Sequence, residues 1–265
     1  MELIKKKSGN MEYYVCPEIQ KAGFNHLFTT KTGGYSFNRS VLNFGTSCDD
    51  TEENIMKNYN TVFKLLDTTA EKTVKSKQTH SDIVLYVNSD FGGDGILREQ
   101  HFLEADGLIT DDSDLTLLVF YADCVPVIIA DKAKKTACVV HSGWRGTKAE
   151  IVKKAVKKLI EKHGSRPENL LTAIGPAIGK CHFEVGENVY DEFVSSFGNN
   201  FCEIRNGKYY IDLKATVKNQ LAEMGIPESN IAVSDLCTYC NNELYSYRRE
   251  GAKAGRMAAF IKTPK

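Results

Sequence analysis

Three side chains that lie far apart in the chain, His80, Cys124 and His141, are of the types that bind transition metals. Each lies where a predicted strand meets a loop, beside small or turn-forming residues. Zinc binds Cys sulfur and His nitrogen in tetrahedral geometry, and a catalytic zinc commonly has three protein ligands and leaves the fourth position to water or substrate. The three residues therefore predict a metal site whose chemistry depends on a metal-bound water.

Buried strands are expected to position these ligands. Cys124 follows the apolar run 115–120 and precedes the run 125–130, and His141 ends the run 137–140. Each ligand alone also fits a packing role, because a buried Cys behaves as a small hydrophobe and a His can be satisfied inside a core. Polar residues at the ends of buried strands are, however, where α/β proteins place their sites, which favours the metal interpretation.

The remaining pattern predicts helices alternating with strands. Apolar residues recur at helical spacing in four segments, 50–66, 147–163, 187–197 and 212–224. Short apolar or alternating runs predict strands, with a turn at Gly33–Gly34: 11–15, 25–30, 73–75, 82–87, 115–122, 125–130, 136–141, a strand containing Ile174, 208–211 and 258–261. Because no repeat, low-complexity segment or linker interrupts them, we expect one αβ domain over residues 1–265.

Composition excludes several classes of function. Of 265 residues, 42% are hydrophobic and 26% charged, and 34 basic residues balance 34 acidic ones. This balance predicts neither a nucleic-acid nor a membrane partner, and no feature indicates an obligate protein partner. The first residues lack a secretory signal pattern, and no apolar run reaches the roughly 18 residues of a membrane span. We therefore expect a cytoplasmic protein.

The eight cysteines are expected to be thiols, ligands or nucleophiles, because a reducing compartment disfavours disulfides. Cys237 and Cys240 have the spacing of half a zinc-finger site, but no second Cys or His pair follows them, so the sequence does not predict a metal there. Four further cysteines have no suggestive neighbours and are interpreted as packing residues: Cys16, Cys48, Cys138 and Cys202.

Motifs over most of the chain, together with the three ligand segments, resemble the YfiH (DUF152) family, also called laccase-domain or polyphenol-oxidase proteins. The motifs lie at residues 28–34, 42–45, 104–107, 174–179, 181–186 and 245–249. The chain departs from the family pattern at Tyr59, where Arg is common, and at Tyr121, where Thr is usual. Neither departure affects a ligand, but both are expected to alter substrate choice.

This resemblance implies an α+β fold, a layered αββα sandwich with mixed sheets. It also implies that His80, Cys124 and His141 bind zinc, and that the protein cleaves adenosine and inosine by phosphorolysis, with adenosine deamination as a companion reaction. The substrates would then be a purine nucleoside and phosphate. The signature of nucleobase deaminases, His-x-Glu with a later Pro-Cys-x-x-Cys, is incomplete here because no Pro-Cys-x-x-Cys occurs in the sequence, so any deamination would use a different scaffold.

Four residues are candidates for substrate binding or proton transfer. Arg145 and Arg248 offer guanidinium groups to phosphate, although a lone Arg often forms only a surface ion pair. Asn43 offers an amide to a ribose hydroxyl or a base edge, or is a turn residue. On a strand, Glu184 and His182 would share one face and Cys181 the other, which makes Glu184 a candidate acid, base or partner of a zinc-bound His; its alternative is a surface carboxylate.

Three other functions remain open. An amide hydrolase that edits peptidoglycan precursors would use the same activated water, or Cys124 as its nucleophile. A copper-dependent polyphenol oxidase needs many imidazoles, and six His without a His-x-His pair cannot hold four coppers, although a single site can bind copper opportunistically. A zinc-stabilised binding module would need a closed four-ligand site, and the sequence offers no convincing fourth ligand to the three.

Overall fold

Most of the predicted strands belong to two mixed sheets. The computed structural model describes residues 1–37, 40–46 and 50–265. Within these residues the strands are β1 (Ile4–Ser8), β2 (Met11–Val15), β3 (Asn25–Thr29), β4 (Thr32–Ser36), β5 (Thr73–Lys75), β6 (Val84–Tyr86), β7 (Gly107–Thr110), β8 (Thr116–Tyr121), β9 (Val125–Asp131), β10 (Ala137–Ser142), β11 (Leu170–Ile174), β12 (Glu184–Val185), β13 (Cys202–Arg205), β14 (Lys208–Ile211), β15 (Ile231–Val233) and β16 (Met257–Lys262).

The first sheet has the strand order β1-β2-β3-β16-β8-β5, and the second has the order β15-β11-β9-β10-β7-β6. Most neighbours are antiparallel, whereas β5 with β8, β6 with β7 and β11 with β15 are parallel. A small third sheet has the order β12-β14-β13. The two large sheets are therefore mixed, as the family resemblance implied.

Helices cover the outer face of each large sheet. The helices of the described residues are α1 (Pro17–Lys21), α2 (Glu52–Leu66), α3 (Trp144–Lys148), α4 (Ile151–His163), α5 (Glu187–Phe197), α6 (Leu213–Glu223) and α7 (Tyr247–Glu250). Successive side chains of a strand point to opposite faces, so β16 places Ala259 between the two sheets and Phe260 under α2. Helices α4, α5 and α6 pack on the second sheet. This arrangement confirms the predicted αββα layering.

Two local predictions were wrong. The helix predicted over 147–163 is two helices, because Glu150 adopts a left-handed conformation (φ 58°) between α3 and α4. The apolar face of the predicted helix begins at Ile151, so periodicity does not define the structure of residues 147–150. Gly33 and Gly34 lie within β4 rather than in a turn, and a Cβ on Gly33 would lie 2.2 Å from the carbonyl oxygen of Asn10. Close backbone approach explains the glycine there.

Among the described residues, none of the helices is both long enough and apolar enough to cross a bilayer.

Candidate metal and substrate site

The three predicted ligands meet where the chain crosses from one sheet to the other. His80 lies between β5 of the first sheet and β6 of the second, and Cys124 lies between β8 and β9, which are likewise in different sheets. His141 is near the end of β10, opposite Pro126 of β9. His80 and Asp123 have left-handed backbones with φ of 62° and 98°. Such conformations are costly for side-chain-bearing residues and are concentrated at functional sites.

The donor atoms of His80, Cys124 and His141 lie within 4.8 Å of one another. Cys124 Sγ is 3.8 Å from His80 Nε2, and the two imidazole rings are 5.0 Å apart, nearly perpendicular. His141 is buried, Cys124 is half-buried and His80 is exposed. The cluster is therefore closed on one side and open to solvent on the other, as a three-ligand site with an accessible fourth position requires.

The buried carboxylate of Asp106 holds the cluster in place. Its Oδ1 lies 2.7 Å from His141 Nδ1, which leaves Nε2 of that ring to face the other two ligands. Its oxygens also accept hydrogen bonds from the backbone N–H groups of Thr79, His80 and Ser81. A carboxylate bound to a metal-ligating His is a common supporting contact of metal sites. Sequence analysis found the motif at 104–107 but assigned no role to Asp106.

Charge within the cluster favours the metal-binding form of the thiol. Burial raises the pKa of Cys124, but the charge of His141 and hydrogen bonds from both imidazoles outweigh it and lower the pKa to about 6. Burial lowers the pKa of His141, whereas the Cys124 thiolate and Asp106 raise it to about 9. Because the thiolate is the form of Cys that binds metal, Cys124 is prepared for ligation at neutral pH.

Gly143 leaves room for the cluster. A Cβ at this position would lie 2.9 Å from His80 Cδ2 and 3.2 Å from Cys124 Sγ. Only glycine allows the backbone after His141 to approach the other two ligands this closely. Two imidazole nitrogens, one thiolate, a buried supporting carboxylate and this space fit a zinc ion.

The cluster opens into a cavity of about 770 Å³, which is large enough for a nucleoside. Cationic and apolar side chains line it together: Lys75, Phe120, Ile178, Phe183, Tyr247, Arg248 and Arg256. A smaller cavity of about 260 Å³ adjoins the other side of His80 and Cys124. The site thus combines the Cys/His cluster with positive charge.

The predicted substrate ligands separate into two groups. Arg248 lines the large cavity, and Arg145 lines the small one, with its guanidinium carbon 4.3 Å from the centre of the Trp144 ring. Asn43 is buried in a turn, where its Oδ1 accepts hydrogen bonds from the backbone N–H groups of Gly45 and Arg256. Asn43 therefore contacts the backbone that carries a cavity residue, and its direct contact with substrate stays a prediction.

Glu184 lies at the start of β12, where its Oε2 accepts hydrogen bonds from Lys208 and Tyr210. The hydrogen bond from Lys208 lowers its pKa, which keeps the carboxylate ionised. The premise that residues 181–184 form a strand was wrong, because Cys181 and His182 lie in a turn and the strand begins at Glu184. The role of Glu184 in proton transfer stays a prediction.

Two cavity cations were missed by sequence analysis. Lys75, at the end of β5, has its ammonium 4.9 Å from the centre of the Phe120 ring, and burial lowers its pKa. Arg256 lies just before β16. Neither belongs to a recognisable local motif, so only the fold places them beside Arg248.

The two departures from the family pattern are both buried. Tyr121 lines the large cavity, and its hydroxyl donates to the carbonyl oxygen of Thr29 at 2.7 Å. Tyr59 stacks on Phe63 within the core, 5.6 Å between ring centres, and also lines a separate surface cavity. Tyr121 is therefore the departure that lies beside the ligands.

Comparison with known proteins establishes the family. The chain belongs to the multi-copper polyphenol oxidoreductase laccase family, whose model matches residues 25–264. A purine nucleoside phosphorylase of Clostridium acetobutylicum is 35% identical over 254 residues, which cover 95% of this chain and 97% of that protein. An adenosine deaminase of an unknown prokaryotic organism is 34% identical over 189 residues, 69% of this chain and 72% of that protein.

The crystal structure of the Bacillus licheniformis protein YfiH superposes with a TM-score of 0.90. The two chains are 32% identical, and the match covers 98% of this chain and 99% of that one. The family resemblance and the fold predicted from the motifs are thereby confirmed.

Proposed function

We propose that this protein is a zinc-dependent purine nucleoside phosphorylase that acts on adenosine and inosine, with adenosine deamination as a side activity. The observation that carries the proposal is a single cavity lined by His80, Cys124, His141 and four cationic side chains. The names of the relatives support the same reaction class. Bound zinc would be held by the three ligands and would supply a Lewis acid and a water of lowered pKa.

The chain's own residues meet the needs of phosphorolysis. The reaction transfers the ribose C1′ from a purine nitrogen to a phosphate oxygen, so positive charge develops on the sugar and negative charge on the departing base. Arg248 and Arg256 carry guanidinium groups that match phosphate oxygens in pairs, and Lys75 adds a third cation. Phosphate held by these groups lies beside the developing sugar charge and stabilises it.

The apolar side of the cavity suits the purine. Phe120, Ile178, Phe183 and Tyr247 offer flat or apolar surface on which a base can stack. Asn43 Oδ1 accepts a hydrogen bond from the backbone N–H of Arg256 and so supports the segment that carries this cation. Asn43 is therefore proposed to act on substrate through Arg256. Arg145 is proposed to approach the cluster from the small cavity.

The test is incubation of purified protein of known metal content with adenosine or inosine, with and without phosphate. We expect phosphate-dependent release of free base together with ribose 1-phosphate, and loss of this activity in His80→Ala and Cys124→Ala. Cys202→Ser, which changes a partly buried thiol outside the cavity, is the matched control and should retain activity.

Three results would contradict the proposed reaction or favour another function. Turnover unchanged by His80→Ala and Cys124→Ala would remove the cluster from the mechanism. Phosphate-independent hydrolysis of a muramoyl-amino acid would favour the amide hydrolase. Oxidation of phenols by the copper-loaded protein, with no turnover of nucleosides by the zinc-loaded protein, would favour the polyphenol oxidase.

A further inference from the structure

A second group of Cys and His residues lies outside the site described above. The donor atoms of Cys181, His182, Cys237 and Cys240 all lie within 4.8 Å of one another. The group joins the isolated Cys-x-x-Cys pair to a Cys-His pair that precedes it in the chain by more than fifty residues. Together they offer three sulfurs and one nitrogen, the composition of a structural zinc site.

The sheet explains why these two segments meet. Cys181 and His182 follow β11, and Cys237 and Cys240 follow β15. These strands are parallel neighbours, so their carboxyl ends, and the loops that follow, lie side by side at one edge of the second sheet. An isolated parallel bridge between Ala177 and Cys237 continues this pairing into the loops.

The spacing of the donor atoms fits a tetrahedral ion better than a disulfide. Cys181 Sγ and Cys240 Sγ are 3.8 Å apart, and His182 Nδ1 is 3.2 Å from each of these sulfurs. Two sulfurs that each lie about 2.3 Å from zinc at a tetrahedral angle are about 3.8 Å apart. Bonded sulfurs would be separated by about 2.05 Å. All three cysteines are free thiols.

Neighbouring groups orient the donors. The His182 ring stacks on Tyr239, with ring centres 4.1 Å apart and planes 17° from parallel. The backbone N–H of Gly179 donates to Cys237 Sγ at 3.2 Å. A Cβ on Gly179 would lie 3.1 Å from Cys181 Sγ, so glycine here permits the close approach of the sulfurs.

Cationic side chains surround the group. The guanidinium of Arg205 donates to the carbonyl oxygen of Cys181 at 3.0 Å, and that of Arg249 donates to the carbonyl oxygens of Thr238 and Tyr239. Zinc bound by three thiolates and one neutral imidazole carries a net charge of −1, which nearby guanidinium groups stabilise.

We propose that Cys181, His182, Cys237 and Cys240 form a structural zinc site, separate from the site of His80, Cys124 and His141. With all four positions filled by protein, the ion would have no open position for substrate, so its role would be to hold the two loops together. This proposal stands on the geometry of the second group alone and does not depend on the reaction proposed above.

The second site would stiffen one wall of the substrate cavity. Phe183, which lines the cavity, directly follows His182, and the Arg248 guanidinium donates to the His182 carbonyl oxygen at 3.1 Å. The Thr238 hydroxyl donates to Asp123 Oδ1 at 2.5 Å, and Asp123 precedes the ligand Cys124. Loss of the second ion should therefore weaken substrate binding more than it slows turnover.

The test is the metal content of protein purified without added chelator. We expect two zinc ions per chain in the unchanged protein and one in each of Cys181→Ser, Cys240→Ser and Cys124→Ala. Cys202→Ser is the matched control and should retain two. Cys240→Ser should raise KM with kcat nearly unchanged, whereas Cys124→Ala should lose activity and keep the second ion.

A titration of the unchanged protein covers the case in which a variant does not fold. Stepwise modification of its thiols with a mercurial, followed with a zinc-sensitive dye, should release two zinc ions per chain. Equal metal content in the unchanged protein and in folded Cys240→Ser would overturn the proposal, as would release of a single ion that Cys124→Ala abolishes. A Cys181–Cys240 disulfide in protein purified under reducing conditions, detected as a mass loss, would overturn it too. Inactivity of the unchanged protein toward nucleosides would leave the two-ion result intact, so the two proposals fail separately.

Discussion

The two Cys/His clusters lie on related parts of the fold but differ in their surroundings. His80, Cys124 and His141 face a cavity of about 770 Å³ and are supported by the buried carboxylate of Asp106. That cavity is not lined by Cys181, His182, Cys237 or Cys240, and guanidinium groups donate to the backbone around them. For the two proposed sites, ligand number and supporting charge, rather than ligand type, would distinguish a reactive centre from a structural one.

The largest expected difference between the clusters is in catalysis. Cys124→Ala removes a ligand that faces the cavity, so we expect nucleoside phosphorolysis to fall by roughly 100-fold or more, because loss of a supporting contact alone typically costs 10–100-fold. Cys240→Ser should keep most of kcat. Steady-state kinetics of both variants at equal protein concentration measure this contrast. Equal losses in the two variants would mean that the clusters do not have separate roles.

Asp106→Asn should give the next largest effect. The asparagine keeps the shape of the carboxylate but places an NH2 group among the N–H groups of Thr79, His80 and Ser81, which leaves donors without an acceptor. We expect metal affinity at the first cluster to fall by about 10–100-fold, with the second ion retained. Competition with a zinc-binding dye measures both sites.

Asp131→Asn is the matched control for Asp106→Asn. Asp131 is also buried and accepts backbone hydrogen bonds from Ala133 and Lys134, but it is the last residue of β9, outside both cavities. Its substitution should lower the free energy of unfolding and leave both metal affinities unchanged. If Asp131→Asn weakened metal binding as much as Asp106→Asn, a general loss of stability would explain both.

The sequence predicted the first cluster better than the second for physical reasons. Cys124 and His141 sit at the ends of apolar runs, and such runs are local patterns that can be read without the fold. The Cys237–Cys240 pair gains its partners only because β11 and β15 are parallel neighbours, a pairing that no local pattern specifies. A strand was also assumed at residues 181–184, which would place Cys181 and His182 on opposite faces. The turn observed at these two residues instead brings their side chains together.

The residues that support the clusters and line the cavity were likewise not specified by any local sequence pattern. Asp106 acts through hydrogen bonds to residues 25 to 35 positions away, and Lys75 and Arg256 reach the cavity from opposite parts of the chain. The alternation of helices and strands, by contrast, follows from apolar runs and amphipathic helices, which the sequence displays directly, whereas the αββα layering was implied by the family resemblance. Contacts made by single polar side chains across long separations therefore required the structure.

Two glycines offer a matched pair of smaller changes. Gly143→Ala places a methyl group 2.9 Å from His80 Cδ2, whereas Gly179→Ala places one 3.1 Å from Cys181 Sγ. Each should lower metal affinity at its own cluster and leave the other unchanged, and the effect of Gly143→Ala should be larger because its contact is closer. Metal affinities measured on both variants check this. A loss at both clusters in either variant would show that they are coupled.

The smallest effect on either cluster is expected from an ion pair distant from both. The Lys262 ammonium lies 2.7 Å from Asp114 Oδ1, an ion pair rather than an aligned hydrogen bond, and Lys72 binds Oδ2. Lys262 and Lys72 lower the pKa of Asp114 from 3.8 to about 2. Because the folded pKa is the lower one, the ion pair stabilises the fold above about pH 4, and this contribution disappears as the pH falls toward 2.

Asp114→Asn should therefore lower the free energy of unfolding by about 2 kcal/mol at neutral pH and flatten its decrease between pH 4 and pH 2. Metal content at pH 7 should stay at the level of the unchanged protein, because neither cluster contacts Asp114. Denaturant unfolding at several pH values, with metal analysis at pH 7, measures both. An equally steep acid decrease in the variant would assign acid sensitivity to other carboxylates, with Asp106 the first to examine, since its pKa is also lowered to about 2.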